Sequence, residues 1–184
     1  MKQIVMFLIL ALVLLAYGCQ APAVTAEGVS TMTIQLTSTA FTEGASIPKK
    51  YTCDAEDASP ALAWSGVPQG AKSLALIMDD PDAPAGTWVH WVIYNIPTTL
   101  TGLLEGVAKT ATVQGTGVQG KNGSGKPGYA GPCPPRGKPH RYFFKLYALD
   151  TVLNLQPLAR KADLEAAMRG HILAQGQLMG TYGR

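Results

Sequence analysis

Between Met32 and Leu149 the apolar side chains recur at every second residue, and glycine or proline cuts each run short. TMTIQLTS sets Met32, Ile34 and Leu36 against Thr33, Gln35 and Thr37. TWVHWVIYNIP places Trp88, His90, Val92 and Tyr94 on one face and Val89, Trp91 and Ile93 on the other. HRYFFKLYALD gathers His140, Tyr142, Phe144 and Leu146 in the same way. Successive side chains of a strand point to opposite faces, so period two admits short strands and argues against helices. The apolar run from Ser73 to Met78 stops at Asp80-Pro81, because proline cannot donate to a ladder. The expected class is mostly β.

Two stretches depart from that texture. Residues 115 to 131 hold seven glycines and no strand pattern, with Tyr129 marking a loop packed at its far end. LARKADLEAAMRGHILAQGQLMG reads as helix, with Asp163 early and Leu164, Ala167 and Met168 on one stripe. Gly170 should end it before a second short helix, Ile172 to Met179. No internal repeat or second domain boundary is visible.

The chain opens with Lys2 and an unbroken apolar run from Ile4 to Leu15. Twelve residues are too few for a spanning helix, which takes about 20, and they fit the core of a secretory signal. Leu15-Ala16-Tyr17-Gly18-Cys19 looks like a bacterial lipoprotein box, in which Cys19 is acylated (a palmitate-type lipid) and becomes the new N-terminus. Residues 1–18 are then the signal, 19–31 a lipidated tether and 32–184 the domain. The protein is expected outside the cytoplasm, held to a membrane by its N-terminal lipid and facing the periplasm or the cell exterior. A formal net charge of +3, evenly spread, gives no reason to expect nucleic acid.

His90 and His140 each sit on a loop-flanked strand beside an aromatic residue, Trp88 and Tyr142. The acidic corner Asp79-Asp80-Pro81-Asp82-Ala83-Pro84 lies just upstream of the first. Four arrangements fit these parts. The histidines could be satisfied core residues. Asp80, Asp82, His90 and His140 could bind metal, although no close His-x-x-x-His or Cys-x-x-Cys pair supports it. Cys133 could be a nucleophile with a histidine as base and Asp80 as its orienter. An anion pocket could draw donors from a glycine-rich loop, imidazole N–H groups and a tyrosine hydroxyl. Aspartate would then act from behind, fixing an imidazole nitrogen as donor.

DPDAP followed by WVHWV, then GPCPPRGKPHRYFF, resembles the phosphatidylethanolamine-binding protein family, in its bacterial Raf kinase inhibitor-like branch. YTCDAEDASPALAWSGVP and GHILAQGQLMGTYGR are similar too, so the likeness covers Met32 to Arg184. It implies an antiparallel β-sandwich, a larger sheet packed on a smaller one, with short peripheral helices at the C-terminus. It also implies a small anion pocket formed by Asp80, Pro84, His90, Gly131, Cys133, Pro134, His140 and Tyr142, with Trp88 as wall and Asp82 holding the corner. The ligand expected is a small phosphorylated or carboxylate molecule, with no metal and no cofactor. The resemblance brings the Cys53 and Cys133 loops to the pocket end of the sandwich. With Cys19 acylated, these two cysteines are expected to pair, the alternative being two free thiols. A non-catalytic binding module is the first reading. Inhibition of a secreted hydrolase or kinase-like protein partner is the second, and a hydrolase using Asp80 and His90 the third.

Overall fold

Every residue of the strand Ser73–Asp80 is buried, which requires both faces of its sheet to be covered. The computed structural model describes residues 32–184 and supplies both covers. The expected signal, Cys19 and the tether to residue 31 lie outside the described residues. Ten strands are formed: β1 Met32–Thr33, β2 Gln35–Ser38, β3 Leu62–Ser65, β4 Ser73–Asp80, β5 Trp88–Ile96, β6 Gly102–Leu103, β7 Thr112–Val113, β8 Gly117–Gln119, β9 His140–Leu149 and β10 Ile172–Tyr182. A seven-stranded sheet runs in the order β1-β10-β9-β4-β5-β8-β7 and a three-stranded one in the order β2-β3-β6. All pairings are antiparallel except that of β1 with β10 at the edge.

The small sheet covers one face of the large one. Between them pack Ile34, Leu36, Trp64, Leu74, Leu76, Met78, Trp91, Phe144 and Leu146. The other face buries Ala75, Ile77, Val92 and Tyr94 beneath Leu164 and Met168 of the helix α1, Lys161–Met168. Alternation along β4 therefore sends neighbouring carboxylates to opposite sides. Asp79 faces α1, where Lys145 and Lys161 reach its oxygens at 2.8 and 2.6 Å. Asp80 turns to the sandwich side, toward His140.

Two expectations are corrected. Ile172 to Met179 is not a second helix but most of β10, the longest strand, paired along β9 from Leu149 to His140. Its inward positions are Ala174, Gly176, Leu178 and Gly180, and two glycines leave little apolar signal to betray period two. The glycines are there because neighbours come close. A Cβ at Gly176 would lie 2.2 Å from the Ile34 carbonyl oxygen, and one at Gly180 would lie 2.6 Å from the Ile47 side chain. The second correction concerns β5, whose register against β4 slips between Trp91 and Val89. This bulge breaks the alternation, as such insertions do. Val89 joins Val92 and Tyr94 on the helix side, while His90 falls with Trp91 on the sandwich side.

Candidate functional site

His140 begins β9 and Asp80 ends β4, so adjacent antiparallel strands deliver them to one end of the sheet. His140 donates Nδ1–H to Asp80 Oδ2 at 2.8 Å. Asp80 Oδ1 accepts the Asp82 amide, also at 2.8 Å, which fixes the turn that Pro81 begins. His90 reaches the same end from β5. Its Nδ1 lies 2.6 Å from the Ala130 carbonyl oxygen, and because a carbonyl can only accept, Nδ1 carries the proton. Ala130 donates its own amide back to the His90 carbonyl at 2.9 Å, so one loop residue clamps both backbone and ring. Each imidazole is thereby oriented through Nδ1, leaving Nε2 as the atom that can meet a ligand.

Between the two rings opens a cavity of about 410 Å³. Asp80, His90, His140, Asp57 and Ser124 contribute polar groups to it; Pro84, Trp88, Pro134 and Pro135 contribute apolar wall. The Trp88 ring lies against Gly123, where a Cβ would stand 2.4 Å from it, and the side of the residue left open makes it 41% exposed. Cys53 and Cys133 also line the cavity and are joined in a disulfide with Cα atoms 5.4 Å apart. Free thiols and a Cys133 nucleophile are thus both overturned, since a bonded sulfur supplies no thiolate.

Tyr142 and Gly131 do something other than line a pocket with donors, and Asp82 sits at the corner. Tyr142 lies behind the wall, packed edge-on against His90 with ring centroids 5.1 Å apart. Its hydroxyl is buried without a hydrogen-bond partner, and burial, reinforced by the charge of Asp80, raises its pKa far above the usual tyrosine range. Asp82 stands outside the cavity. It accepts from Arg141 Nε at 2.9 Å and Nη2 at 2.7 Å and from the Arg141 amide at 2.9 Å. That fork holds the Asp82 carboxyl well below its ordinary range. Gly131 does line the cavity, but its amide is spent on Asp57 Oδ1 at 2.5 Å. Glycine is required by close approach, since a Cβ there would lie 2.5 Å from the Tyr51 carbonyl oxygen and 2.8 Å from Thr52 Cα.

The loop is consequently poorer in donors than its glycines suggest. Residues 132, 134 and 135 are prolines, and the amides of Ala130 and Gly131 are engaged. Cys133 keeps the one amide of this segment with no partner among the described residues. Asp57, which organises the loop, was not legible in the sequence. It adopts a left-handed conformation (φ 54°), pairs with Lys109 at 2.5 Å, and is one of three acids in CDAED with nothing to single it out. Ala130, the His90 anchor, acts through its backbone, which carries no side-chain signal.

Burial sets the electrostatics of His90. At 4% exposure the cationic ring is poorly solvated, which pushes its pKa below the usual histidine value. The Ala130 carbonyl and the charges of Asp80, Asp57 and Asp79 oppose that shift without cancelling it. Among the described residues no group of three or more His, Cys, Asp or Glu side chains is assembled as a metal would need.

The profile of a family described as phosphatidylethanolamine-binding protein matches residues 37–183. A UPF0098 protein of Methanothermobacter thermautotrophicus is 57% identical over 145 residues, covering 79% of this chain and 95% of its own. Another, from Aquifex aeolicus, is 51% identical over 153 residues, covering 82% and 89%. Two crystal structures superpose closely. A phosphatidylethanolamine-binding protein homologue from Chlamydia trachomatis gives a TM-score of 0.75 at 46% identity, over 83% of this chain and 98% of that one. Escherichia coli YbcL, described as a member of the mammalian family, gives 0.76 at 34% identity, over 82% and 98%.

Proposed function

The chain belongs to the phosphatidylethanolamine-binding protein family, and from that premise we propose that it is a non-catalytic binding module for a small organic anion. The ligand is a phosphomonoester or a carboxylate held between His90 and His140. One observation carries this reading: two buried imidazoles share a cavity, each pinned through Nδ1 and each left with Nε2. About 410 Å³ falls within the roughly 300–1,000 Å³ of small-molecule sites, so the anion has room for an organic group against Trp88 and the prolines. Binding is favoured over catalysis because neither Nε2 meets a hydroxyl or thiol among the described residues, as activation of a nucleophile requires. An exported lipoprotein is the natural setting. The Cys53–Cys133 bridge suits an oxidising compartment, and the apolar leader ending at Cys19 suits export.

Thermal shift and calorimetry with O-phosphoethanolamine, inorganic phosphate and acetate test the reading. Phosphoethanolamine should raise the melting temperature of the wild type in proportion to ligand concentration. His140→Ala and His90→Ala should each lose that response while keeping the β-rich circular dichroism spectrum. Equal responses in wild type and both folded variants would remove the cavity from consideration.

A further inference from the structure

The cavity's recognition chemistry depends on which nitrogen of His90 bears the proton, and the structure fixes that. The Ala130 carbonyl, 2.6 Å from Nδ1, demands a proton there. In a neutral ring the remaining nitrogen, Nε2, then carries a lone pair and can only accept. Neutrality does not need a special environment, since an unperturbed histidine is already mostly uncharged above about pH 6.5. The surroundings push the same way. Tyr142 packs edge-on against the ring and burial outweighs the carboxylates of Asp80, Asp57 and Asp79. His140 is the other imidazole on the cavity, and its Nδ1 is committed to Asp80. Asp80 adds a second acceptor beside the ligand, since it supplies only carboxylate oxygens.

From this geometry we infer that the site selects oxyanions that bring a proton of their own, so that a P–OH group donates to His90 Nε2. The inference rests on the proposed function, of which it specifies the ligand class. A phosphomonoester qualifies, because its second ionisation lies near pH 6 and a singly protonated form is present at neutral pH. A sulfate ester of the same shape does not, having no proton to give. It would face the Nε2 lone pair and the Asp80 carboxylate with oxygens alone. An unmatched polar group of this kind costs about 1–3 kcal/mol, or roughly fivefold to 150-fold in affinity.

The test uses the full domain and two isosteres, O-phosphoethanolamine and 2-aminoethyl sulfate, by calorimetry from pH 7.5 to pH 5. Near pH 6, where its singly protonated form is abundant, the phosphoryl ligand should bind at least about fivefold more tightly. Near neutral pH its binding should take up close to one proton, measured as a dependence of the observed heat on buffer ionisation enthalpy. The preference should widen from pH 7.5 to about pH 6, as the singly protonated ligand becomes abundant, and shrink below that as His90 becomes cationic and turns Nε2 into a donor. Equal affinities near pH 6 would overturn the selection while leaving an anion site intact. Failure of both ligands at every pH would instead overturn the proposed function and this inference with it.

Discussion

At the scale of single residues, the site is a matter of which atoms are already spoken for. Asp79 and Asp80 are neighbours in sequence, yet one holds two lysines beneath α1 and the other orients His140. His90 illustrates a cost of burial that should be visible in solution. Its folded pKa is depressed, so between that value and about 6.5 the unfolded chain binds a proton at this residue that the folded chain does not. Stability therefore falls as pH drops through this window and levels off once the folded ring is protonated too. Asp82 works in a lower window, because a carboxyl held down by Arg141 stabilises above the usual value near 3.9 and loses that on acidification. The pair is partly exposed and solvent screens it, so this second contribution is the smaller. Histidine-resolved NMR should place the His90 midpoint below 6.5. Urea midpoints should drop more between pH 6.5 and 5 in the wild type than in His90→Gln. Identical drops would show that His90 is not the linked group.

Elements tell how much was legible beforehand. β5 and β9 announced themselves through alternation and β4 through an unbroken apolar run, while the resemblance carried by DPDAP, WVHWV and HRY implied a shared pocket for Asp80, His90 and His140. What failed did so for identifiable reasons. β10 hid its inward face behind Gly176 and Gly180, and small residues with leucine and methionine also suit a helix. The β5 bulge moved His90 off the face that simple parity assigned it, and bulges have no reliable side-chain signature. Gly131 looked like a donor but serves close packing, because Asp57 occupies its amide. The Cys53–Cys133 bridge links two of these loops across 80 residues of sequence. The Cys53 amide reinforces it, donating to Pro132 at 3.2 Å. In the chain-entropy picture, closing such a loop stabilises by about 4–5 kcal/mol. Both cysteines are exposed and line the cavity, so a reductant can reach them. Reduction should lower the urea midpoint by an amount equivalent to several kcal/mol and weaken phosphoethanolamine binding together with it. Reduced protein with unchanged affinity would mean that the hydrogen bonds to Asp57 and Ala130 hold the loop unaided.

At the scale of the whole molecule, the two ends of β10 have different neighbours. Met32 of β1 pairs beside Ala174 near its start, while His140 pairs with Tyr182 near its finish. Eight residues of strand at about 3.3 Å each separate these points, roughly 26 Å. The chain therefore enters the domain at the end of the large sheet remote from the cavity. If Cys19 carries the lipid, twelve residues from Gln20 to Thr31 join it to β1. An attachment there would join the domain at the end opposite its cavity. Anchoring and binding should then separate cleanly. Cys19→Ser should move the exported protein from the membrane fraction to the soluble one, while its affinity for O-phosphoethanolamine stays within about twofold of the lipidated form, far less than a lost hydrogen bond would cost. Persistence of the variant in membranes would dismiss Cys19 as the anchor. Release accompanied by a large loss of affinity would mean that the membrane itself completes the site.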